Sequence, residues 1–226
     1  MPEKQIKSRQ RVADHGEVFT SEREVKAMCD LVKQETERID SRFLEPACGD
    51  GNFLAEIITR KLEVVTKKYK KSAYDWERYS LLALGSIYGV DILADNCVAC
   101  QERLFGIWDK AYKAACKKEC NEETRNAARF ILSLNIVRGN ALSLRCVDEK
   151  QEDTEEPIVF SEWSFPRNDA FIYRKDYTFD ELVNGEKPKE PTNSQVSLFG
   201  ENDEPDDEGR FISEYKCHYR RLGENG

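Results

Sequence analysis

The sequence predicts an α/β protein built on a doubly wound parallel sheet. Short apolar runs typical of buried strands alternate with longer segments of helical periodicity. The first predicted strand ends in a glycine-containing turn that leads directly into a helix, which is the opening unit of such a fold. With 226 residues, 39% of them hydrophobic, the chain can form one domain with a substantial core. We expect this domain over residues 1–183, a disordered acidic linker over 184–210 and a C-terminal strand or tail over 211–226.

A helix is the first element predicted after a mostly polar lead-in over residues 1–19. Ser21 and Glu24 form a capping box, in which the hydroxyl and the carboxylate each accept a hydrogen bond from an otherwise unpaired backbone amide. Apolar side chains then recur at helical spacing at Val25, Met28, Cys29 and Val32. This pattern predicts a helix that continues to about Arg38.

The predicted strand, turn and helix unit follows. The run RFLEPA ends at Pro46 and is typical of the end of a buried strand, after which Gly49 and Gly51 interrupt regular structure. Helical periodicity resumes at Leu54, Ile57, Ile58, Leu62 and Val65.

The same alternation continues towards the C-terminus. Strands are predicted over SIYGVDI, which contains Asp91, over NIVRGNAL, with a turn at Gly139, and over PIVFSEWSF as the fourth strand of the sheet. Helices are predicted over 75–85, from Ala94 onward and over 121–134. The segment RFISEYKCHYRRL alternates apolar and polar residues, which predicts a strand with one buried face at a sheet edge or a subunit contact.

Composition and charge restrict the classes of function. The longest mostly apolar stretch, YSLLALGSIYGV, is too short to cross a bilayer, and the N-terminus has no apolar stretch like a signal peptide. We therefore expect a cytoplasmic protein without membrane contact. The net charge is -8, but residues 148–156 and 186–209 carry -5 and -6, which leaves +3 elsewhere and does not exclude DNA as a partner. Eight cysteines and two histidines lack the spacing of a zinc site, so structural thiols and no metal are expected.

The glycine-containing turn is the best candidate for a binding site. Glycines after a strand let a ligand approach the backbone, and the helix that follows presents free amide donors. A dinucleotide fingerprint requires a third glycine where this chain has Leu54, which argues against a nicotinamide or flavin site. Glu45, at the end of the strand, suits a cationic ligand group such as the ammonium of an amino acid.

The run FLEPACGDGNF, residues 43–53, resembles the first motif of amino-methyltransferases from bacterial restriction–modification systems, (D/E)PACGxGxF, which binds S-adenosyl-L-methionine. Three other segments resemble motifs of the adenine-specific subgroup in the expected order: GEVFTS at 16–21, GVDI at 89–92 and GNAL at 139–142. The resemblance implies a Rossmann-like methyltransferase sheet and a site-specific DNA adenine methyltransferase. An unrelated α/β domain with glycine turns is the alternative.

The resemblance also implies a set of S-adenosyl-L-methionine-binding residues: Phe19, Thr20, Glu45, Pro46, Ala47, Gly49, Gly51, Asn52, Phe53, Asp91, Ile92, Asn140, Ala141 and Leu142. By this resemblance Phe19 and Thr20 touch the methionine part, and Asp91 accepts hydrogen bonds from both ribose hydroxyls. Asn140 lies near the adenine ring, where the family usually has an acid.

The family's catalytic motif, (N/D/S)PP(Y/F/W), is not found. The chain has seven prolines, none of them adjacent, and Ser161-Glu162-Trp163-Ser164-Phe165-Pro166 is no substitute. The resemblance therefore implies a methyltransferase sheet that is incomplete in its C-terminal half, and no catalytic residue in this chain. We expect a split enzyme, in which a partner subunit carrying NPPY supplies catalysis and target recognition on DNA. A shortened form of a longer enzyme is the alternative origin.

A short peptide in the acidic linker resembles a different recognition element. Gln195, Leu198 and Phe199 lie in QVSLF, which resembles the QxSLF-type peptides that dock on bacterial sliding clamps. Two other interpretations of this peptide are equally open: that it attaches the chain to the methylase partner, and that it has no role. For the whole chain, two other functions compete: a non-catalytic, methyltransferase-like module that binds DNA or a partner, and a self-sufficient methyltransferase for another substrate.

Overall fold

A computed structural model describes residue 11, residues 20–167, residues 169–184 and residues 211–224. Its centre is a parallel sheet of three strands in the order β1 (Phe43–Glu45), β2 (Ile87–Asp91) and β3 (Ile136–Arg138). Glu45 is in register with Gly89 of β2, and Gly89 is in register with Ile136 of β3. The predicted α/β class and its first three strands are confirmed. The predicted residues Phe19, Gln195, Leu198 and Phe199 and most of the predicted linker lie outside the described residues.

Six helices accompany this sheet in the described residues: α1 (Glu22–Leu31), α2 (Lys33–Thr36), α3 (Asn52–Tyr69), α4 (Ala73–Gly85), α5 (Ala94–Cys116) and α6 (Glu122–Asn135). The capping box at Ser21 is present. The single helix predicted to run to Arg38 is wrong, because the chain turns at Val32 and the short α2 follows. The turn buries Thr36 and leaves Val32 half exposed.

The main core lies between the sheet and the helices. Ile87 and Ile136 pack into it from the sheet, and three stacked aromatic side chains, Trp76, Trp108 and Tyr112, are completely buried within it. A second, smaller cluster contains Tyr88 and Val90. Because successive residues of a strand point to opposite faces, these two clusters cover opposite faces of the sheet.

The strand β1 differs from its prediction in one respect. It was expected to be buried, but Leu44 is 42% exposed because β1 is an edge strand, with β2 on one side and no strand of the described residues on the other. Phe43 packs against the main core, whereas Leu44 points to the opposite face.

The remaining strands form two antiparallel units: a hairpin of β4 (Arg145–Val147) and β5 (Asp153–Pro157), and a sheet of β6 (Val159–Ser164), β7 (Phe171–Thr178) and β8 (Ser213–His218). A short helix, α7 (Phe179–Asn184), follows β7. The strand predicted over PIVFSEWSF is present, but it is not a fourth strand of the parallel sheet. It is β6, which pairs antiparallel with β7, and its Trp163 packs closely over Gly85 at the end of α4. The predicted C-terminal strand is β8, at the edge of this sheet.

A buried carboxylate joins the C-terminal segment to the helices. Glu77 of α4 is inaccessible to solvent and accepts hydrogen bonds from the hydroxyls of Tyr112 and Tyr219, both 2.5 Å, and from Asn121 and Arg220 at 2.9 and 2.8 Å. These donors satisfy a charge that is costly to bury alone. Because Tyr219 and Arg220 follow β8 directly, Glu77 fixes the end of the β6–β8 sheet against α4.

None of the helices in the described residues is both long enough and apolar enough to span a membrane.

Replacing Glu77 with Gln should destabilise the fold by about 3 kcal/mol, because an amide group would then face hydroxyl and guanidinium donors without a charge to hold them. Urea denaturation measures this loss. Glu63→Gln, on the exposed side of α3, is the matched control and should change stability by less than about 0.5 kcal/mol. Equal stability of the two variants would contradict the role given to Glu77.

Candidate functional site

A cavity of about 550 Å³ opens at the carboxyl ends of β1, β2 and β3. Loops at this edge of a parallel sheet converge because all three strands run in the same direction. The cavity is lined by Thr20, Glu45, Pro46, Ala47, Cys48, Gly49, Asn52, Phe53, Asp91, Ile92, Leu93, Asn96, Gly139, Asn140, Ala141 and Leu142. Of the residues predicted to bind a cofactor, twelve lie in this lining. Gly51 does not, and Phe19 is outside the described residues.

Glu45, the last residue of β1, provides a carboxylate in this cavity. Burial raises the pKa of Glu45, and a hydrogen bond from the backbone of Ala47 partly opposes this shift. The group therefore takes up a proton more readily than an exposed glutamate. An adjacent cation in a ligand would favour its ionised form.

The two glycines of the turn have different positions. Gly49 lines the cavity and has φ +53, and Gly51, with φ +86, precedes α3 as its N-terminal cap. A Cβ at Gly51 would lie 2.7 Å from the Sγ atom of Cys100. Gly51 therefore lies outside the lining, and its lack of a side chain allows the turn to pack against α5; its predicted contact with a cofactor stays a prediction. The helix α3 begins directly after Gly51, and no side chain caps the N-terminus of this helix.

Asp91, at the end of β2, is bonded to the loops that follow all three strands. One carboxylate oxygen accepts the N–H of Gly49 at 2.9 Å, and the other accepts the N–H of Leu93 at 2.9 Å. The Asn96 side chain donates to the second oxygen at 3.2 Å, and the N–H of Gly139 donates to the backbone carbonyl of Asp91 at 3.0 Å. Asp91 is 9% exposed, so it is first of all the residue that holds the loops together.

Asn140 follows β3, and its side chain is hydrogen-bonded to nearby residues. Its side chain accepts the N–H of Leu142 at 3.0 Å and donates to a carboxylate oxygen of Asp153 at 2.9 Å. The hairpin of β4 and β5 thus brings an acid beside Asn140, a contact that sequence spacing does not indicate. Leu142 is 97% exposed at the mouth of the cavity.

The remaining predicted residues connect the cavity to its surroundings. The Asn52 amide group donates to the carbonyl of Thr20 at 3.2 Å, and its oxygen accepts from Arg103 at 2.6 Å. This bond places Thr20, from the segment before α1, at the cavity wall. Ile92 and Ala141 add apolar surface from the loops after β2 and β3.

Four lining residues were not predicted: Cys48, Leu93, Asn96 and Gly139. Cys48 and Gly139 lie inside the predicted motifs, so their neighbours were a signal for them. Asn96 is different, because it reaches the site only through the first turn of α5. Cys48 lies close to Cys97 and Cys100, and a hydrogen bond with the Cys100 thiol, together with burial, raises the pKa of Cys48 well above its ordinary value. The eight cysteines are free, and no cluster of metal-binding side chains occurs in the described residues.

The cavity has the features to hold an elongated ligand with one charged end. Glu45 and the uncapped start of α3 offer an acceptor and backbone donors, and Ile92, Ala141 and Leu142 offer apolar contacts. No protein family, no curated protein and no solved structure matches the chain.

Replacing Gly51 with Ala should destabilise the protein by about 1–3 kcal/mol, because alanine is strained at positive φ and its Cβ would collide with Cys100. Gly106→Ala in α5 is the matched control. A Cβ there meets no atom within 4 Å, and alanine should stabilise the helix by about 0.5–1 kcal/mol. Thermal denaturation followed by circular dichroism measures both. A Gly51 variant as stable as the control would contradict this account of the turn.

Proposed function

We propose that this chain is the S-adenosyl-L-methionine-binding subunit of a split DNA adenine methyltransferase of a restriction–modification system. The observation that carries the proposal is the meeting of residues from four motif-like segments, including Thr20, Glu45, Asp91 and Asn140, around one cavity. These segments are far apart in sequence and follow the order of the adenine-specific enzymes. The parallel strands β1–β3 would be one half of a Rossmann-like methyltransferase sheet.

The lining suits the chemistry of S-adenosyl-L-methionine. The Glu45 carboxylate would hold the ammonium group of the methionine part, and the backbone donors at the start of α3 would face its carboxylate. The Asp91 oxygen that accepts the N–H of Gly49 has room for one further hydrogen bond, so Asp91 would hold a ribose hydroxyl through that oxygen. Leu142, almost fully exposed at the cavity mouth, would gain an apolar partner from the adenine ring.

In methyl transfer the residues of this chain bind and orient. S-adenosyl-L-methionine supplies an electrophilic methyl group when bound. Glu45 fixes one end of the ligand and Asp91 the middle, and the apolar loop residues exclude water from the other end. On this proposal the group that accepts hydrogen bonds from the target amine is not one of these 226 residues, which contain no NPPY-like motif. A partner subunit carrying that motif would supply it and hold the flipped adenine.

A second candidate is a non-catalytic module that binds DNA or a partner without the cofactor. Two observations favour it: the Asn140 side chain is already engaged by Leu142 and Asp153, and both Asp91 oxygens are in use. Such a module would keep its interactions when the cavity is mutated. Binding of S-adenosyl-L-methionine to the purified chain distinguishes the two.

Replacing Asp91 with Ala should abolish S-adenosyl-L-methionine binding, because both the ribose acceptor and the bonds to Gly49 and Leu93 are lost. Isothermal titration calorimetry measures the affinity. Glu102→Ala, on the exposed surface of α5 and outside the lining, should keep the affinity within about twofold. Undiminished affinity in the Asp91 variant would refute the assignment of the site.

The affinity for S-adenosyl-L-methionine should fall when the pH is lowered, because protonated Glu45 no longer attracts an ammonium group. Burial raises the pKa of Glu45, so the loss should begin at a higher pH than for an exposed carboxylate and reach up to about tenfold per pH unit. Titrations at a series of pH values measure this slope.

The matched variants are Glu45→Gln and Glu102→Gln, the second on the exposed surface of α5. The Glu45 variant should bind more weakly, with little pH dependence, and the Glu102 variant should behave as the wild type. A full acid slope in the Glu45 variant would show that another group responds to pH.

A further inference from the structure

We infer that the outer edge of β1, beside which the described residues place no strand, is the docking site for a parallel β-strand of the partner subunit, and that the groove beside it receives an apolar side chain of that subunit. The inference rests on the proposed function, since it assumes a partner that completes the cofactor site. It goes further by assigning the surface and the mode of contact.

The backbone of Leu44 points away from the sheet. Phe43 donates its N–H to the carbonyl of Ser86 at 2.9 Å, on the β2 side. Bonding residues alternate along a parallel pair, so Phe43 and Glu45 face β2, whereas the N–H and C=O of Leu44 face outward. An added strand is the partner that matches an outward-facing donor and acceptor on an extended chain.

An apolar groove of about 190 Å³ runs beside this edge. It is walled by Met28 and Val32 of the N-terminal helical segment and by Leu44, which expose 52, 47 and 42% of their surface. Both faces of a parallel sheet are normally covered by other elements. Exposed apolar side chains beside a parallel strand therefore indicate a surface that another element covers.

Protection of this edge is only partial: β1 is three residues long, ends at the charged Glu45 and is followed by Pro46, but no bulge interrupts it. Natural edge strands carry charged side chains, prolines within the strand or bulges that prevent strand addition. The central residue of β1 is an aliphatic leucine, and the strand pairs regularly with β2. Arg42, just before the strand, forms an ion pair with Glu162 of β6, 3.2 Å apart.

The direction of the added strand follows from the position of the cavity. β1 ends at Glu45, so a strand parallel to β1 delivers its own C-terminal loop to the same edge of the sheet, beside the cavity. In a symmetric dimer of this chain, two β1 edges would meet antiparallel, and the second copy's loops would lie at the far end. A second copy therefore leaves the cavity incomplete, whereas a partner's parallel strand completes it.

The test uses Leu44→Lys, a charge on the edge, with Val98→Lys on the exposed face of α5 as the matched control. Each variant is purified alone and is also isolated, through a tag on this chain, as the complex formed in its source cells. Four quantities are measured: the S-adenosyl-L-methionine affinity of the isolated chain, its mass, the amount of partner recovered with the tagged chain, and the methylation of adenine in DNA by the complex.

We expect the isolated Leu44 variant to bind S-adenosyl-L-methionine within about twofold of the wild type, which also shows that it is folded. Partner recovery and methylation should fall by roughly tenfold or more, while the Val98 variant keeps both. In the wild-type complex, the Leu44 amide should exchange its hydrogen more slowly than in the isolated chain, because the added strand bonds to it.

Three results would overturn the inference in distinguishable ways. A complex of the Leu44 variant that assembles and methylates like the control would refute the edge and leave the proposed function intact. A wild-type chain that forms a dimer, with the Leu44 variant monomeric, would assign the edge to a second copy. A wild-type chain that binds no S-adenosyl-L-methionine, alone or in its complex, would refute the proposed function and the inference with it.

Discussion

The carboxylate of Asp91 is the interaction on which the candidate site depends. The carboxylate accepts the N–H of Gly49 in the loop after β1 and of Leu93 in the loop after β2, and the backbone carbonyl of Asp91 accepts the N–H of Gly139 after β3. Three loops that the sequence places far apart are thereby held in one arrangement. Because the same residue would contact a ligand, the positions of all three loops would affect the affinity for that ligand.

Strand β1 connects the two functional proposals. Its last residue, Glu45, contributes a carboxylate to the cavity, and the backbone of its middle residue, Leu44, faces away from β2, where the described residues place no further strand. One short strand is thus both the wall of the site and the outer edge. On this account a strand of the partner subunit, added beside β1, would extend the sheet and would also bring its following loop to the cavity.

The parallel sheet and its loops could be predicted from sequence because local signals agree there: apolar runs, turn glycines and a terminal acid coincide. Other features depend on long-range contacts that no local pattern carries. The role of Gly51 follows from Cys100, the engagement of Asn140 follows from Asp153 in the hairpin, and β6 leaves the parallel sheet because it pairs with β7. Edge exposure of Leu44 likewise depends on strand order.

The most direct test of the central claim is a crystal structure of the chain, alone and with its partner, grown with S-adenosyl-L-methionine. The account predicts electron density for the compound between Glu45 and Leu142, with its ribose against Asp91. Density at another place, or a cavity that stays empty in both crystals while the compound is present at saturating concentration, would contradict it.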